Sequence, residues 1–567
     1  MIIQPVVNIA EICARKGVEQ VILSPGSRCA PLTIAFARHP KLTVRTVSDE
    51  RAAAFIAIGM AMTTGKPTVL VCTSGTAALN YAPAVAEAFF QQVPLLVLTA
   101  DRPPEWIDQL DGQTIRQQNI YEQHIKQSYT FPADFSHPDA VWHSERMVSD
   151  ALNTAVAFPA GPVHINVPLR EPFYPAPDEK VTFSDRLKVI EEEHNAFELN
   201  HQQAQRLQKE LQQHQRVLIV AGQDTYDLQL LQSLEAFVRK RGAVVVGDII
   251  SNVQQSKEVV RYQDAIFSCP NEEKLKALQP DLLITLGKSI ISKSLKLYLR
   301  KYKPQAHWHL QAAGDVADTF QTLTRIIRCK PAHFFTSLAG AEETGATVFA
   351  RVWQNMNEMA GKFIQQHVSE ANYGELAVVA RVLQHLPQQS NLHLANSMSV
   401  RYANILALHP AQNVQVYANR GTSGIDGSTS TAVGCALVSS GITTLLTGDL
   451  AFFYDRNGLW HNYLPQNLRI VLLNNHAGGI FRLIDGPKQQ PELEPYFETH
   501  QALNAENTAR DFNMGYTPVH SIKELEEVLP AFFSIEAGAG ILEVFTDSPA
   551  NAEAFTRYRQ AIRKVIY

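Results

Sequence analysis

Carboxylates and amides at the ends of apolar runs, and arginines just beyond such runs, are the residues of this chain best placed to do chemistry. TTLLTGDLAFFYD closes an apolar run on Gly448-Asp449, and NLRIVLLNNHAGGIF closes another on Asn474-Asn475. A carboxylate, an amide oxygen and a nearby loop carbonyl are hard oxygen ligands, the set that holds a magnesium ion and, through it, a diphosphate. Taken alone, the same residues also read as ordinary turn formers. In VRTVSDERAAAFIAIGMAMTTGKP, Glu50 stands at a strand-to-helix junction ahead of an Ala-rich helix. A carboxylate there is either a proton-handling group or an anion favoured by the positive end of the helix dipole. Arg28, Arg102, Arg401 and Arg420 each follow a strand-like run or open the next helix. Their guanidinium forks match carboxylate geometry.

Such residues act together only if an open parallel sheet presents them, because ligands bind beyond the carboxyl ends of its strands. The chain has the required rhythm of short Val-, Ile- and Leu-rich runs, each closed by Gly, Ser, Asp or Asn and followed by a helical period. One group holds 21–27, 67–75, 94–103 and 163–169; a second holds 216–222, 243–248, 281–287 and 307–311. The third holds 391–397, 415–421, 443–449, 469–475 and 540–545. The polar stretch 171–215 and the segment 338–375 interrupt the rhythm and read as links, each leading into a helix. The expected fold class is α/β, with three doubly wound parallel-sheet domains near 1–180, 181–345 and 346–567, which could be distant copies of one plan.

Composition narrows the partners. The 567 residues carry 50 Lys+Arg against 55 Asp+Glu, a formal charge of −5 without a long basic block, so attraction to nucleic acid or an anionic membrane has little to work with. No run approaches the length of a membrane span. The six cysteines show no C-x-x-C pair, which argues against a disulfide scaffold or structural zinc. The expectation is a soluble, cytoplasmic protein with small-molecule substrates.

Together, Glu50 and the pair Gly448-Asp449 and Asn475 resemble the thiamine diphosphate enzymes of the pyruvate oxidase and decarboxylase type. SPGSRCAPLT, TADRPPE, DGQTIRQ, ANSMSVR and YANRGTSGIDG, spread over nearly the whole chain, are similar to one branch, the menaquinone-pathway synthases that join 2-oxoglutarate to isochorismate. The resemblance implies a pyrimidine-binding first domain with Glu50 bonded to the cofactor's ring nitrogen, a central domain, and a third domain for diphosphate and metal. It implies that Asp449, Asn475 and the carbonyl of Ala477 hold Mg2+ or Mn2+. Ser397, Gly448 and Leu450 would contact the cofactor, and Ile425 would prop its bent conformation. It further implies substrate contacts by Arg28, Arg102, Gln113, Lys293, Arg401 and Arg420, and a homodimer or dimer of dimers.

The chain departs from the family pattern in three places. Leu450 stands where the general motif has a third glycine, Ser294 follows Lys293 where two adjacent cations are frequent, and NNHAGG replaces a more Gly-rich turn. The rival expectations are another thiamine diphosphate enzyme, acetolactate synthase-like or a 2-oxoacid decarboxylase, and a non-catalytic protein of the same fold. Gly287-Lys288-Ser289 has the ending of a phosphate loop, but Leu282 occupies the position of its first glycine. The basic stretch 295–303 reads as a solvated helix face, and His137 and His143 lack ligand spacing.

Overall fold

A computed structural model describes residues 2–176, 178–193, 195–340 and 347–566; the expected boundary between 345 and 346 lies outside the described residues. The first sheet comprises β1 (Gln20–Leu23), β2 (Thr43–Thr46), β3 (Thr68–Cys72), β4 (Leu95–Asp101), β5 (Gln127–Thr130) and β6 (Pro162–Pro168). The second comprises β7 (Val217–Ala221), β8 (Val244–Gly247), β9 (Val259–Val260), β10 (Leu282–Leu286), β11 (Ala306–Leu310) and β12 (Arg325–Ile327). The third comprises β13 (Asn391–Leu394), β14 (Gln415–Tyr417), β15 (Thr443–Gly448), β16 (Leu468–Asn474), β17 (Gly515–Val519) and β18 (Gly540–Phe545).

Every strand pairing is parallel. Central strands such as β3, β4, β10 and β16 are buried along their whole length, as expected of a sheet covered on both faces. The order is β2-β1-β3-β4-β6-β5 in the first sheet and β14-β13-β15-β16-β18-β17 in the third, which is one topology used twice. The middle sheet, β12-β11-β10-β7-β8-β9, follows a different order, so the common plan extends to the outer two and not to all three. The middle order is that of dinucleotide-binding sheets, whose ligand crevice opens where the order reverses, here between β7 and β10. In this chain backbone hydrogen bonds tie the two strand ends together there. Gly222 N donates to Leu286 O at 2.9 Å, Gln223 N to Ser289 O at 2.8 Å and Lys288 N to Gln223 O at 2.9 Å.

The Ala-rich helix Glu50–Thr64 starts on the Asp49 side chain, which accepts from Ala52 N, and stops at Gly65 with φ 67°. Its residues Ala52 to Ala61 are all buried, against the third-domain helix Ser428–Val438 of the same chain. Small residues permit this closeness: a Cβ on Gly59 would lie 2.0 Å from Thr431 O, and one on Gly434 would lie 2.0 Å from Ile56 O. The described residues of 171–199 carry no helix or strand; helices His201–Leu211 and Val348–Glu370 follow the two links. No helix among the described residues is long and apolar enough to cross a membrane.

Candidate active site

Strand ends of the first domain form one half of the site. Glu50 opens its helix directly after β2, with Asp49 and Arg51 anchored on either side of it. Asp49 Oδ2 accepts from Asn457 Nδ2 at 2.8 Å, while Arg51 donates to Tyr454 O at 2.7 Å and lies over the Tyr454 ring. Between these two anchors, Glu50 Oε2 accepts from Asn80 Nδ2 at 3.2 Å. Glu50 lines a cavity of about 370 Å³ with Gly26, Thr73, Ser74, Gly75, Asp111 and Gln113 among its walls. Every lining residue belongs to the first domain. The Thr73 and Ser74 hydroxyls are buried without a hydrogen-bond partner among the described residues, a state that a polar ligand would relieve. Gly75, at φ 90°, packs on the Gln113 backbone, so the turn after β3 and the Gln113 loop are shaped together.

Arg102 follows β4, pairs with Asp111 and donates to Gly112 O at 2.6 Å, which holds it beside the Gln113 loop. Arg28 is buried two residues beyond Gly26 of the cavity wall: it donates to Leu169 O at 3.0 Å, its guanidinium lies 4.5 Å from the Phe173 ring centre, and its Nε has no partner among the described residues.

Third-domain strand ends form the other half. Asp449, 3% exposed, follows β15. Its Oδ1 accepts from Leu450 N at 2.9 Å and its Oδ2 from Gln501 Nε2 at 2.8 Å. Burial raises its carboxyl above the ordinary value, with the Gln501 and Leu450 bonds and the nearby His476 acting against this. A cation would offset that burial. Asn475 and Ala477 follow β16. Asn475 Oδ1 accepts from Ala477 N at 3.0 Å, and Asn475 Nδ2 donates to Glu375 Oε1 at 2.7 Å. The turn needs no further glycine, because His476 takes φ 58° with its N–H held by Asn474 Oδ1 at 3.1 Å. One carboxylate, one amide oxygen and one carbonyl, on two adjacent strand ends, form an oxygen donor set that suits a hard divalent cation.

Glu375 had no signal in the sequence. It begins the helix Glu375–His385, far along the chain from either motif, and only the fold brings it beneath Asn475. Burial pushes its carboxyl up to about 7 against the bonds from Asn475 and Tyr402, with Asp449 adding to the rise.

Arg401 and Arg420 meet at the ends of β13 and β14. Arg420 Nη1 donates to Asn396 Oδ1 at 2.7 Å, and Arg401 Nη1 to Ser397 O at 2.5 Å. Asn396 Nδ2 in turn holds Asn419 O at 2.8 Å and Gly424 O at 2.7 Å, fixing the loop that carries Arg420 and the exposed Ile425. First-domain residues complete this loop: Glu87 accepts from Gly421 N, Thr422 N and Thr422 Oγ1, and Gln91 Oε1 accepts from Arg420 N. Burial and then neighbouring Arg401 lower the Arg420 guanidinium, and its Nε is buried without a partner among the described residues. Asn396 lies at a strand end and was legible on that ground; Glu87 and Gln91 sit inside a helix and were not. Lys293 is exposed at the start of the helix Lys293–Lys301; the charged form of Asp485 is favoured chiefly by its hydrogen bond from Lys488 and least by Lys293. Ser294 turns its hydroxyl to Asp264 instead.

The sequence-indicated residues therefore gather as Glu50, Gln113 and Arg102 in the first domain, and as Ser397, Arg401, Arg420 and Ile425 beside the Asp449 and Asn475 strand ends in the third. Two family models match the chain: the thiamine pyrophosphate enzyme N-terminal TPP binding domain over residues 7–128, and the middle domain of thiamine pyrophosphate over residues 186–394. Among curated proteins, the chain is 45% identical over 561 residues to the 2-succinyl-5-enolpyruvyl-6-hydroxy-3-cyclohexene-1-carboxylate synthase of Cytophaga hutchinsonii, covering 99% of both chains. It is 37% identical to that of Flavobacterium johnsoniae, covering 97% of both. It is 36% identical to that of Porphyromonas gingivalis, covering 97% of this chain and 96% of the relative.

Proposed function

Since the chain belongs to the 2-succinyl-5-enolpyruvyl-6-hydroxy-3-cyclohexene-1-carboxylate synthases, a branch of the thiamine diphosphate enzymes, we infer that it performs their reaction in menaquinone biosynthesis. It is a transferase that decarboxylates 2-oxoglutarate and adds the succinic semialdehyde unit to isochorismate. With uptake of one proton, the products are 2-succinyl-5-enolpyruvyl-6-hydroxy-3-cyclohexene-1-carboxylate and CO2. The observation that carries this is the 45% identity along 99% of both chains. Another 2-oxoacid decarboxylase or an acetolactate synthase-like activity is not favoured, and the cationic pair Arg401 and Arg420 suits a donor with an extra carboxylate.

Thiamine diphosphate, when bound, would supply a nucleophilic thiazolium carbon and a cationic ring able to take up the electron pair that decarboxylation releases. In our reading Glu50 shares a proton between its carboxylate and the cofactor's ring nitrogen. The anchors on Asp49 and Arg51 fix the carboxylate's position, and the free Thr73 and Ser74 hydroxyls offer further polar contacts. Asp449, Asn475 Oδ1 and the Ala477 carbonyl would hold Mg2+ or Mn2+, with Gly448, the Leu450 amide and Ser397 alongside the diphosphate and Ile425 against the rings. Arg401 and Arg420 would neutralise the distal carboxylate of 2-oxoglutarate. Arg28, Arg102, Gln113 and Lys293 would meet isochorismate.

The cavity at Glu50 has no third-domain wall, which supports a site completed by a second copy of the chain in a homodimer or dimer of dimers. The proposed compartment is the cytoplasm. The test is to mix the pure protein with thiamine diphosphate, Mg2+, 2-oxoglutarate and isochorismate and identify the product by mass. A product retaining the enolpyruvyl group and gaining the succinyl unit is expected; equal use of pyruvate, or no use of isochorismate, would overturn the proposal.

A further inference from the structure

We propose that Glu87 is a positioning residue for Arg420: from the first domain it holds the third-domain loop that aims the Arg420 guanidinium at the distal carboxylate of the donor, and so sets the preference for a dicarboxylic 2-oxoacid. The inference rests on the reaction and the role of Arg420 proposed above, and it gives a function to a residue outside the family motifs.

Glu87 lies in the helix Ala82–Gln91 and is 1% exposed. Its Oε1 accepts from Gly421 N at 2.8 Å, and its Oε2 accepts from Thr422 N and from Thr422 Oγ1, both at 2.6 Å. Two amides and a hydroxyl thus donate to both oxygens of one side chain, which an ionised carboxylate can accept and a carboxamide cannot. Gln91 follows Glu87 by four residues, on the same face of the helix, and its Oε1 accepts from Arg420 N at 3.0 Å. A glycine is needed for the loop to come this close: a Cβ on Gly421 would lie 2.6 Å from Glu87 O and 3.0 Å from Gln91 N. The end of the helix is tied down in turn, because Lys288 Nζ donates to Gln91 O at 2.9 Å. Gly287-Lys288-Ser289, with its phosphate-loop ending, therefore supplies a strut from the middle domain to this helix.

Arg420 is held along its whole length. Gln91 takes its amide, Glu87 takes the two residues that follow it, and its Nη1 donates to Asn396 Oδ1 at 2.7 Å. Its Nε is buried without a partner among the described residues, a donor left over for an incoming carboxylate. Glu87 acts on this group through the loop. Burial and Arg401 lower the Arg420 guanidinium while Asp248 and Glu87 act against them, but no ion pair joins Glu87 to Arg420 among the described residues, the Glu87 oxygens being engaged by Gly421 and Thr422. The Ile425 end of the loop has its own anchor, since Asn396 Nδ2 donates to Gly424 O at 2.7 Å. Loss of the Glu87 contacts should accordingly displace Arg420 more than Ile425, and weaken donor recognition before cofactor binding.

The test uses the holoenzyme and two inhibitors competing with the donor, glutarate and pentanoate, which differ by one carboxylate. Product formation by the unaltered protein and weaker glutarate inhibition in Arg420→Ala come first. Absence of product overturns the functional reading, and an unchanged glutarate Ki in Arg420→Ala removes the role of Arg420 and this proposal with it. Glu87→Gln, equal in size, should raise the Ki of glutarate about five-fold or more and leave that of pentanoate within about two-fold. In the Arg420→Ala background the same substitution should change the glutarate Ki by less than about two-fold, because the two residues act in series. Half-saturation by Mg2+ in thiamine diphosphate binding should stay within about two-fold, which a general loosening of the site would not allow. Thr422→Val, at an exposed position, removes one of the three donors and should raise the glutarate Ki about two-fold or more; it decides if melting shows that Glu87→Gln does not fold. A smaller rise for glutarate, an equal loss for pentanoate, or the same factor in the Arg420→Ala background would overturn the proposal.

Discussion

Replacing Glu375 by Ala should weaken metal-dependent binding of thiamine diphosphate although Glu375 is not among the proposed metal ligands. Asn475 can offer the metal either its oxygen or its nitrogen, and only the oxygen is a ligand. Two contacts decide between them: Ala477 N donates to Oδ1 at 3.0 Å, and Nδ2 donates to Glu375 Oε1 at 2.7 Å. The second involves a buried carboxyl pushed up to about 7, so it contributes about 0.5–1.5 kcal/mol while protonated and about 1.5–3 kcal/mol while charged. Without it the amide is free to turn, and loss of an outer hydrogen-bond partner of this kind lowers metal affinity about 10–100-fold. Glu375→Gln retains an acceptor for Asn475 Nδ2 and should lie between the two. The assay is quenching of tryptophan fluorescence by thiamine diphosphate across a Mg2+ titration, with melting measured in parallel to separate misfolding from weakened binding. Half-saturation by Mg2+ within about two-fold of the unaltered protein in Glu375→Ala would refute the reasoning.

Three further outcomes follow from particular contacts. Arg401→Ala or Arg420→Ala should impair decarboxylation of 2-oxoglutarate itself, whereas Arg28→Ala or Arg102→Ala should mainly weaken use of isochorismate; CO2 release with and without acceptor separates them. Asp455, fully buried against Ser430 N and Oγ, is pushed up to about 7 by burial, so the folded state binds a proton between about pH 4 and 7 that the unfolded chain does not. Stability should therefore fall as pH rises through that window, by up to about 1.4 kcal/mol per pH unit, and level off above it; melting of Asp455→Asn should lose that component of the slope. Gly59→Ala or Gly434→Ala puts a methyl 2.0 Å from a carbonyl oxygen of the facing helix, so an overpacking cost of about 1–3 kcal/mol should exceed the gain of about 1 kcal/mol in helix propensity and lower the melting temperature.

The buried strands were legible because a sheet covered on both faces demands uninterrupted apolar runs, as in β4, β10 and β16. β5, β9, β12 and β17 leave no comparable signal: each lies at or beside an edge, and QSYT, with its exposed ends, and GYTPV, with its proline, are shorter on apolar residues than central strands. Site residues at strand ends were legible for the same reason the strands were. Residues that support them from helices, such as Glu87 beneath the Arg420 loop and Glu375 beneath Asn475, depend on how domains dock, and no local spacing encodes that. The partial repetition of topology was equally hidden, since the first and third sheets share an order through parallel pairing between segments far apart in the chain.

The central claim is that the Glu50 cavity and the Asp449 strand ends work as one site built across two chains. Glu50→Gln should fold and lose most activity, because an amide cannot share a proton as the carboxylate does, and Asp449→Ala should lose it by forfeiting the metal. The direct measurement is synthase activity after the two inactive proteins are dissociated, mixed in equal amounts and reassociated. If each site takes Glu50 from one chain and Asp449 from the other, half the dimers are hybrids with one intact site, and activity should recover to about a quarter of the unaltered level. Recovery indistinguishable from the separate variants, with hybrid dimers shown to be present by mass, would contradict the account.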